Sequence, residues 1–209
     1  KRTFDICMAA LGLVLTAPLL AIISVLIKLD SQGPVIFLQI RVGQGFRPFA
    51  IRKFRTMVVD APGSGLPLTV GQDSRITRIG QILRKCKLDE LPQLWNVLVG
   101  DMSFVGPRPE VPRYVERLRS EFSEVLTVRP GITDLASLRY IDEASILAYS
   151  SNPEEEYQLK VLPEKIRLAK FYIRHMSLRL DLAIIMQTLL HLARIPVVIF
   201  TLPSLKAVV

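Results

Sequence analysis

Cysteine is almost missing from this chain. Cys7 and Cys86 are the only two in 209 residues, far apart and one inside the most apolar stretch, which argues against a disulfide framework and fits a reducing compartment. Histidine is as scarce, and His175 and His191 lack the spacing of a metal-ligand pair, so both read as ordinary helix-surface or core residues. Aromatic residues make up 7% of the chain. They do not interleave with basic residues, and no nucleic-acid recognition module is visible, so nucleic acid is not an expected partner despite a net charge of +8. There is no internal repeat, and Glu154 to Glu156 reads as a solvated acidic run.

Charge is missing altogether from Ile6 to Ile27. That run of about 22 residues would reach roughly 33 Å as a straight helix, enough to cross a bilayer core. It accounts for a mean hydropathy of +0.34, high for a chain with 22% charged residues. The run is long for a signal peptide and no small-residue cleavage pattern follows it, so it is expected to stay attached. Pro18, near its middle, removes a backbone donor and disfavours helix at Ala17, which predicts a kink or break there. Thr16 is placed to satisfy freed backbone groups. Both flanks are basic, Lys1 and Arg2 before the run and Lys28, Arg41, Arg47 and Arg52 after it, so the charge rule gives no spanning direction. A kinked single span and a helix that returns to its own face both remain open. The chain divides into residues 1–30 as membrane helix, 31–195 as a catalytic-sized domain, and 196–209 as an apolar tail.

The remainder predicts an α+β domain, mainly helical. Val35 to Val42 and Phe49 to Met57 are rich in β-branched and aromatic residues and flank Gly43-Gln44-Gly45, a hairpin pattern. Gly43 to Pro48 lacks the third glycine and the following helix of a dinucleotide loop. Ala61 to Gln72, dense in glycine and proline, reads as a mobile loop that could order over substrate. Ile76 to Cys86 has helical spacing, and a second helix begins near Pro92, runs through Leu94, Val97 and Leu98, and stops at Gly100. Further helices are expected over Val111 to Thr127 and Asp142 to Ala148. Ile166 to Arg194 mixes Arg167, Lys170, Arg174 and Arg179 with apolar positions, the pattern of an amphipathic helix pair on a membrane surface. Val197 to Val209, divided from it by Pro196 and broken again at Pro203, is too short to span and is expected to touch lipid or another chain.

Asp89 and Glu90 stand just before the Pro92 helix, where the helix dipole favours anions and unpaired amides point outward, so both carboxylates are expected to be ionised at neutral pH. The same amides attract a diphosphate, which brings a carboxylate nucleophile and a phosphoryl electrophile to one place. A divalent cation, magnesium by preference, would neutralise their repulsion. Basic residues surround the pair in sequence: Arg84 and Lys85 before it, and after it Arg108, stiffened by Pro107 and Pro109 and suited to grip two phosphate oxygens. Lys53, Arg55 and Arg129 add further cations. Singly, each of these is as well explained as a helix cap or a solvated charge.

Together they are more specific. Leu88-Asp89-Glu90-Leu91-Pro92-Gln93-Leu94-Trp95-Asn96-Val97-Leu98, followed by Gly100-Asp101-Met102-Ser103-Phe104-Val105-Gly106-Pro107-Arg108-Pro109, closely resembles the bacterial sugar transferase family, the monotopic polyprenyl-phosphate phosphoglycosyl transferases. The likeness extends to Lys1-Arg2-Thr3-Phe4-Asp5, Gly33-Pro34-Val35-Ile36-Phe37, Lys53-Phe54-Arg55-Thr56-Met57, Arg129-Pro130-Gly131-Ile132-Thr133 and Asp181-Leu182, nearly the whole chain.

The resemblance implies a re-entrant membrane helix broken at Pro18, in the bacterial inner membrane, with the catalytic domain at the cytoplasmic face. It implies a ping-pong reaction in which Asp89 attacks the β-phosphate of a UDP-sugar, releases UMP and carries the phosphosugar to undecaprenyl phosphate. Glu90, with Asp89 beside it, would hold Mg²⁺, and Arg84 and Arg108 match phosphate-binding positions, with Lys53, Arg55, Pro109 and Arg129 in motifs around the site. Two departures stand out. Many relatives carry glycine where this chain has Asp134. They also place an arginine near Ile141, a role that Arg139 could take over. A non-catalytic scaffold that only binds polyprenyl lipid is the competing reading, and the intact Asp89-Glu90 pair argues against it.

Overall fold

The computed structural model describes residues 1–59, 73–140 and 143–193. The apolar run forms α1 (Arg2–Asp30), one continuous helix that contains Pro18. The break expected at Pro18 is therefore not seen: a proline deletes one backbone donor, and the rest of the helical ladder continues on either side. Thr16 does not serve the carbonyl that Pro18 frees, since its hydroxyl donates to Gly12 O at 2.7 Å. The helix is long and apolar enough to cross a membrane, yet only 11% of its most apolar stretch is buried. Val14 and Leu15 are 72% and 70% exposed, which a core helix of a soluble domain would not tolerate.

Both ends of α1 are fastened to one compact body. At the start, Lys1 Nζ donates to Asp181 Oδ2 at 2.7 Å and to Val105 O at 2.8 Å, while buried Asp5 accepts from Ser103 Oγ at 2.9 Å. Arg2 donates to the carbonyls of Val97 and Leu98. At the far end Ile23 and Ile27 pack with Phe54 and Leu83, and Asp30 accepts from the backbone N–H of Ile79 at 3.1 Å.

The hairpin pairs β1 (Ile36–Val42) with β2 (Pro48–Phe54), antiparallel, with Ile36 opposite Phe54 and Val42 opposite Pro48. A short 3₁₀ turn, Gln44–Phe46, with Gly45 at positive φ, joins them as the glycines suggested. Next come α2 (Arg78–Lys85), a 3₁₀ turn at Leu88–Glu90, and α3 (Gln93–Val99), which ends at left-handed Gly100. A second, parallel pair joins β3 (Ser103–Val105) to β4 (Gly131–Thr133). These strands approach closely because both crossing positions are glycine: a Cβ on Gly131 would lie 2.2 Å from Gly106 N.

The helix expected over Val111 to Thr127 is two, α4 (Pro112–Arg117) and α5 (Arg119–Val125), divided at Leu118 so that Tyr114 and Phe122 reach one core. Then follow α6 (Leu135–Arg139), α7 (Glu143–Ala148), α8 (Pro153–Glu156), a π turn at Tyr157–Val161, α9 (Leu162–Arg174) and α10 (Leu178–Leu192). The expected surface pair is thus divided in character. α9 is a core helix that buries Leu162, Ile166, Leu168 and Tyr172, its Lys170 and Arg174 taken up by Glu121 and Glu124. α10 buries Leu180 and Ile184 but exposes Leu178, Leu182, Met186 and Leu189. The predicted loop over 61–72 and the tail over 196–209 lie outside the described residues.

Candidate functional site

The site begins where α2 ends. Lys87 adopts the left-handed conformation (φ 55°, ψ 19°), which a lysine rarely accepts and which turns the chain so that the next residues point inward. The 3₁₀ turn then buries Asp89 at 8% exposure and points Glu90 towards the hairpin and the segment after β3.

Glu90 is held from two sides. Its Oε1 accepts from Lys53 Nζ, on β2, at 2.6 Å and from Arg108 Nη2 at 2.6 Å. Arg108 Nη1 lies 3.4 Å from Oε2. Burial pushes the Glu90 carboxyl up, but the charges of Arg108 and Lys53 and their hydrogen bonds outweigh it and hold it well below the usual carboxylate range. Asp89 goes the other way. Burial and then the neighbouring charge of Glu90 raise it, against the opposing pull of Lys53, Arg84 and Lys87. Asp89 thus lies in the turn just before α3, where the sequence put it, and desolvation rather than the helix end dominates its proton affinity. Its Oδ1 is buried without a hydrogen-bond partner, an orphaned acceptor that burial makes costly unless something else uses it.

Of the other sequence-selected residues, Arg84 donates through Nε to Thr56 Oγ1 at 2.8 Å, and its charge acts on Asp89. Pro109 contributes its carbonyl, which accepts from Arg41 Nη1 at 3.1 Å. Three residues do not join this cluster. Arg55 is buried with its guanidinium on the carbonyls of Ser31 and Gln32, tying down the end of α1. Arg129 donates to Gly100 O at 2.9 Å, at the end of α3. Arg139 sits 3.7 Å from Glu164 on α9, and Ile141 lies outside the described residues.

The structure adds residues the sequence did not single out. Arg41, on β1, lies beside Arg108 and Glu90, its head bonded to Gln39 Oε1 and 3.7 Å from Glu110. Glu110 in turn accepts from Tyr157 OH at 2.6 Å. Only the two-residue spacing of Gln39 and Arg41, which puts both on one face of a strand, hinted at this. Asp134, noticed only as a departure, is buried and accepts from the backbone N–H of Arg108 at 3.1 Å.

A buried carboxylate with a free oxygen, ringed by fixed cations, can act as a nucleophile or a metal ligand towards an anionic group. Among the described residues no three acidic, histidine or cysteine side chains gather into a metal cage. Magnesium, which commonly rests on one or two carboxylates plus substrate phosphates, fits this donor set through Asp89 Oδ1. Glu90 would have to release a cation to join it.

The chain matches the family model described as bacterial sugar transferase over residues 1–194. It is 39% identical over 192 residues to an Aeromonas hydrophila protein named UDP-N-acetylgalactosamine-undecaprenyl-phosphate N-acetylgalactosaminephosphotransferase, covering 90% of this chain and 42% of that one. It is 39% identical over 191 residues to a Caulobacter vibrioides UDP-glucose:undecaprenyl-phosphate glucose-1-phosphate transferase, covering 90% and 67%. It is 46% identical over 146 residues to an exopolysaccharide production protein of Rhizobium leguminosarum bv. phaseoli, covering 66% and 73%. The chain thus spans less than half of the Aeromonas relative and about two thirds or more of the other two.

The geometry separates two arginines of similar exposure. Replacing Arg108 by Met leaves Glu90 with Lys53 alone and is expected to cost about 2 kcal/mol of stability, the scale of a charged hydrogen bond. Arg139→Met, which loosens a surface pair, should cost under about 0.5 kcal/mol. Thermal melting in detergent reads both, and equal losses would contradict the placement of Arg108 at the centre of the site.

Proposed function

Since this chain belongs to the bacterial sugar transferase family, we propose that it transfers a phosphosugar from a UDP-sugar to undecaprenyl phosphate, releasing UMP and giving a polyprenyl diphosphosugar. The observation that carries this reading is Asp89: buried, with one oxygen unpartnered, beside a glutamate that two cations keep ionised. The printed names of the relatives supply the donor and acceptor classes.

In this reading the Asp89 carboxylate attacks the β-phosphorus of the UDP-sugar. A phosphorus–oxygen bond forms, the bond to the bridging oxygen breaks, and UMP departs with that electron pair. An oxygen of the polyprenyl phosphate then attacks the same phosphorus, and the Asp89 carboxylate is restored. Arg108 and Lys53 supply fixed positive charge where the diphosphate must lie, and Arg84 offsets the desolvation of Asp89. A magnesium ion held by Asp89, Glu90 and the substrate phosphates would supply further charge neutralisation.

The membrane side of the proposal is that α1, unbroken at Pro18, enters and leaves by one face of the bacterial inner membrane through a bend rather than an interruption, the body facing the cytoplasm. Support comes from the two ends of α1, both bonded to that body, Lys1 to Asp181 and Asp30 to α2. A straight span of 29 residues would carry one end roughly 40 Å from the other, beyond a bilayer core. The exposed apolar residues of α10 offer lipid a second contact. The tail over 196–209 could add lipid contact or pair two copies of the chain.

UMP release from a panel of UDP-sugars with Mg²⁺ and undecaprenyl phosphate tests the reaction. Asp89→Asn should lower turnover by about 10⁴-fold or more, as loss of a nucleophile does, and a fully active variant refutes the assignment. The pH profile has a definite sign. Asp89 must lose its proton to attack, and its pKa is raised, so the acid limb should lie above the ordinary aspartate range. Arg84→Gln removes an opposing cation and should move that limb to still higher pH. A limb that stays put, or moves down, removes Asp89 from control of it. For topology, cysteines placed at Thr3 and Gln32 should both react with a membrane-impermeant reagent from the cytoplasmic side of inverted vesicles. Protection of either one indicates a span.

A further inference from the structure

We propose that Asp134 is a positioning residue that aims Arg108 at the substrate's phosphates, an inference that rests on the phosphate role given to Arg108 above. Arg108 lies between two prolines, and proline has no backbone N–H. Between Gly106 and Glu110 the chain therefore has a single backbone donor, that of Arg108, and Asp134 Oδ2 accepts it at 3.1 Å. The other oxygen, Oδ1, accepts from Ser137 N at 2.7 Å and so caps the start of α6. One carboxylate joins the arginine's backbone to a helix end.

The same tripeptide is pinned on both sides. Pro107 O accepts from Gly131 N at 3.0 Å, where the two glycines let the strands touch, and Pro109 O accepts from Arg41 at 3.1 Å. With φ fixed at both prolines, the bond from Arg108 N to Asp134 further restricts the backbone between them. Asp134 is 4% exposed, and its charge also adds to the field that keeps Arg108 protonated. From that restrained backbone the guanidinium reaches Glu90 Oε1 at 2.6 Å, and the ion pair holds its head in place. A phosphate at the same place would meet a fork whose orientation is already fixed, so less entropy is lost on binding.

Asp134→Asn and Asp134→Ser separate this role from helix capping. Both side chains are good caps, yet neither offers the two acceptor oxygens that serve Ser137 N and Arg108 N together. Melting temperatures should stay within about 4 °C of the parent, the shift that about 1 kcal/mol produces in a domain of this size. Affinity for UDP, read by calorimetry on the full chain in detergent with Mg²⁺, should fall by about tenfold, as should kcat/KM, the scale of one positioning hydrogen bond. In an Arg108→Ala background the same substitutions should change UDP affinity by less than about twofold, because the group they aim is gone. A tenfold loss that persists in that background, or no loss in the parent, overturns the proposal while leaving the reaction intact. If Arg108→Ala alone binds UDP and turns over like the parent, the phosphate role of Arg108 fails and the positioning role fails with it.

Discussion

The site depends on the anchoring of Glu90 by Lys53 and Arg108. These three charges come from β2, from the turn after α2 and from the proline-flanked segment after β3, so their meeting requires the hairpin, the helices and the parallel strand pair to be in place together. Taking such charges out of water is costly, and the arrangement holds because each oxygen and each cation finds a partner. The consequence is a division of roles between adjacent carboxylates. Glu90 is held ionised by its partners, whereas Asp89, buried and left with one free oxygen, is pushed towards the protonated form. Neighbouring acids with environments that pull their proton affinities apart are suited to different tasks, and in the proposed reaction the less satisfied one is the nucleophile.

The long helix matters to the same site. Its first turn is bonded to α10 and to β3, its last turn to α2, and α3 packs along it. Residues between these contacts, Val14 and Leu15 among them, are left uncovered by the rest of the protein. In the proposed topology, a body clamped at both ends of an apolar helix would carry the Asp89 turn to the membrane face, where a polyprenyl phosphate presents its head.

Much of this was legible from sequence because local rules govern it. The hairpin turn, the helix ending at Gly100 and the helix before Asp89 follow from glycine placement and apolar spacing, and all are present. The motif around Asp89, Glu90 and Arg108 located the cluster. What sequence could not give is which arginines face inward: Arg55 and Arg129 lie in equally suggestive motifs but tie down carbonyls at the ends of α1 and α3, a choice made by tertiary packing. Arg41 and Asp134 were missed as site residues for the same reason, since their partners are 68 and 26 positions away. Pro18 marks the limit of a propensity rule, for a helix secured at both ends continues through it. The upward push on Asp89 was not legible because a helix-dipole argument ignores how deeply the preceding turn is buried.

The most direct test of the account is to mix the purified chain with a UDP-sugar and Mg²⁺, omit the polyprenyl acceptor, quench rapidly and map the covalent product by peptide mass spectrometry. The account predicts one mole-equivalent burst of UMP and a phosphosugar mass on the peptide that contains Asp89, lost on adding undecaprenyl phosphate. A phosphosugar on any other side chain, or UMP release that requires the acceptor and leaves no adduct, would contradict it.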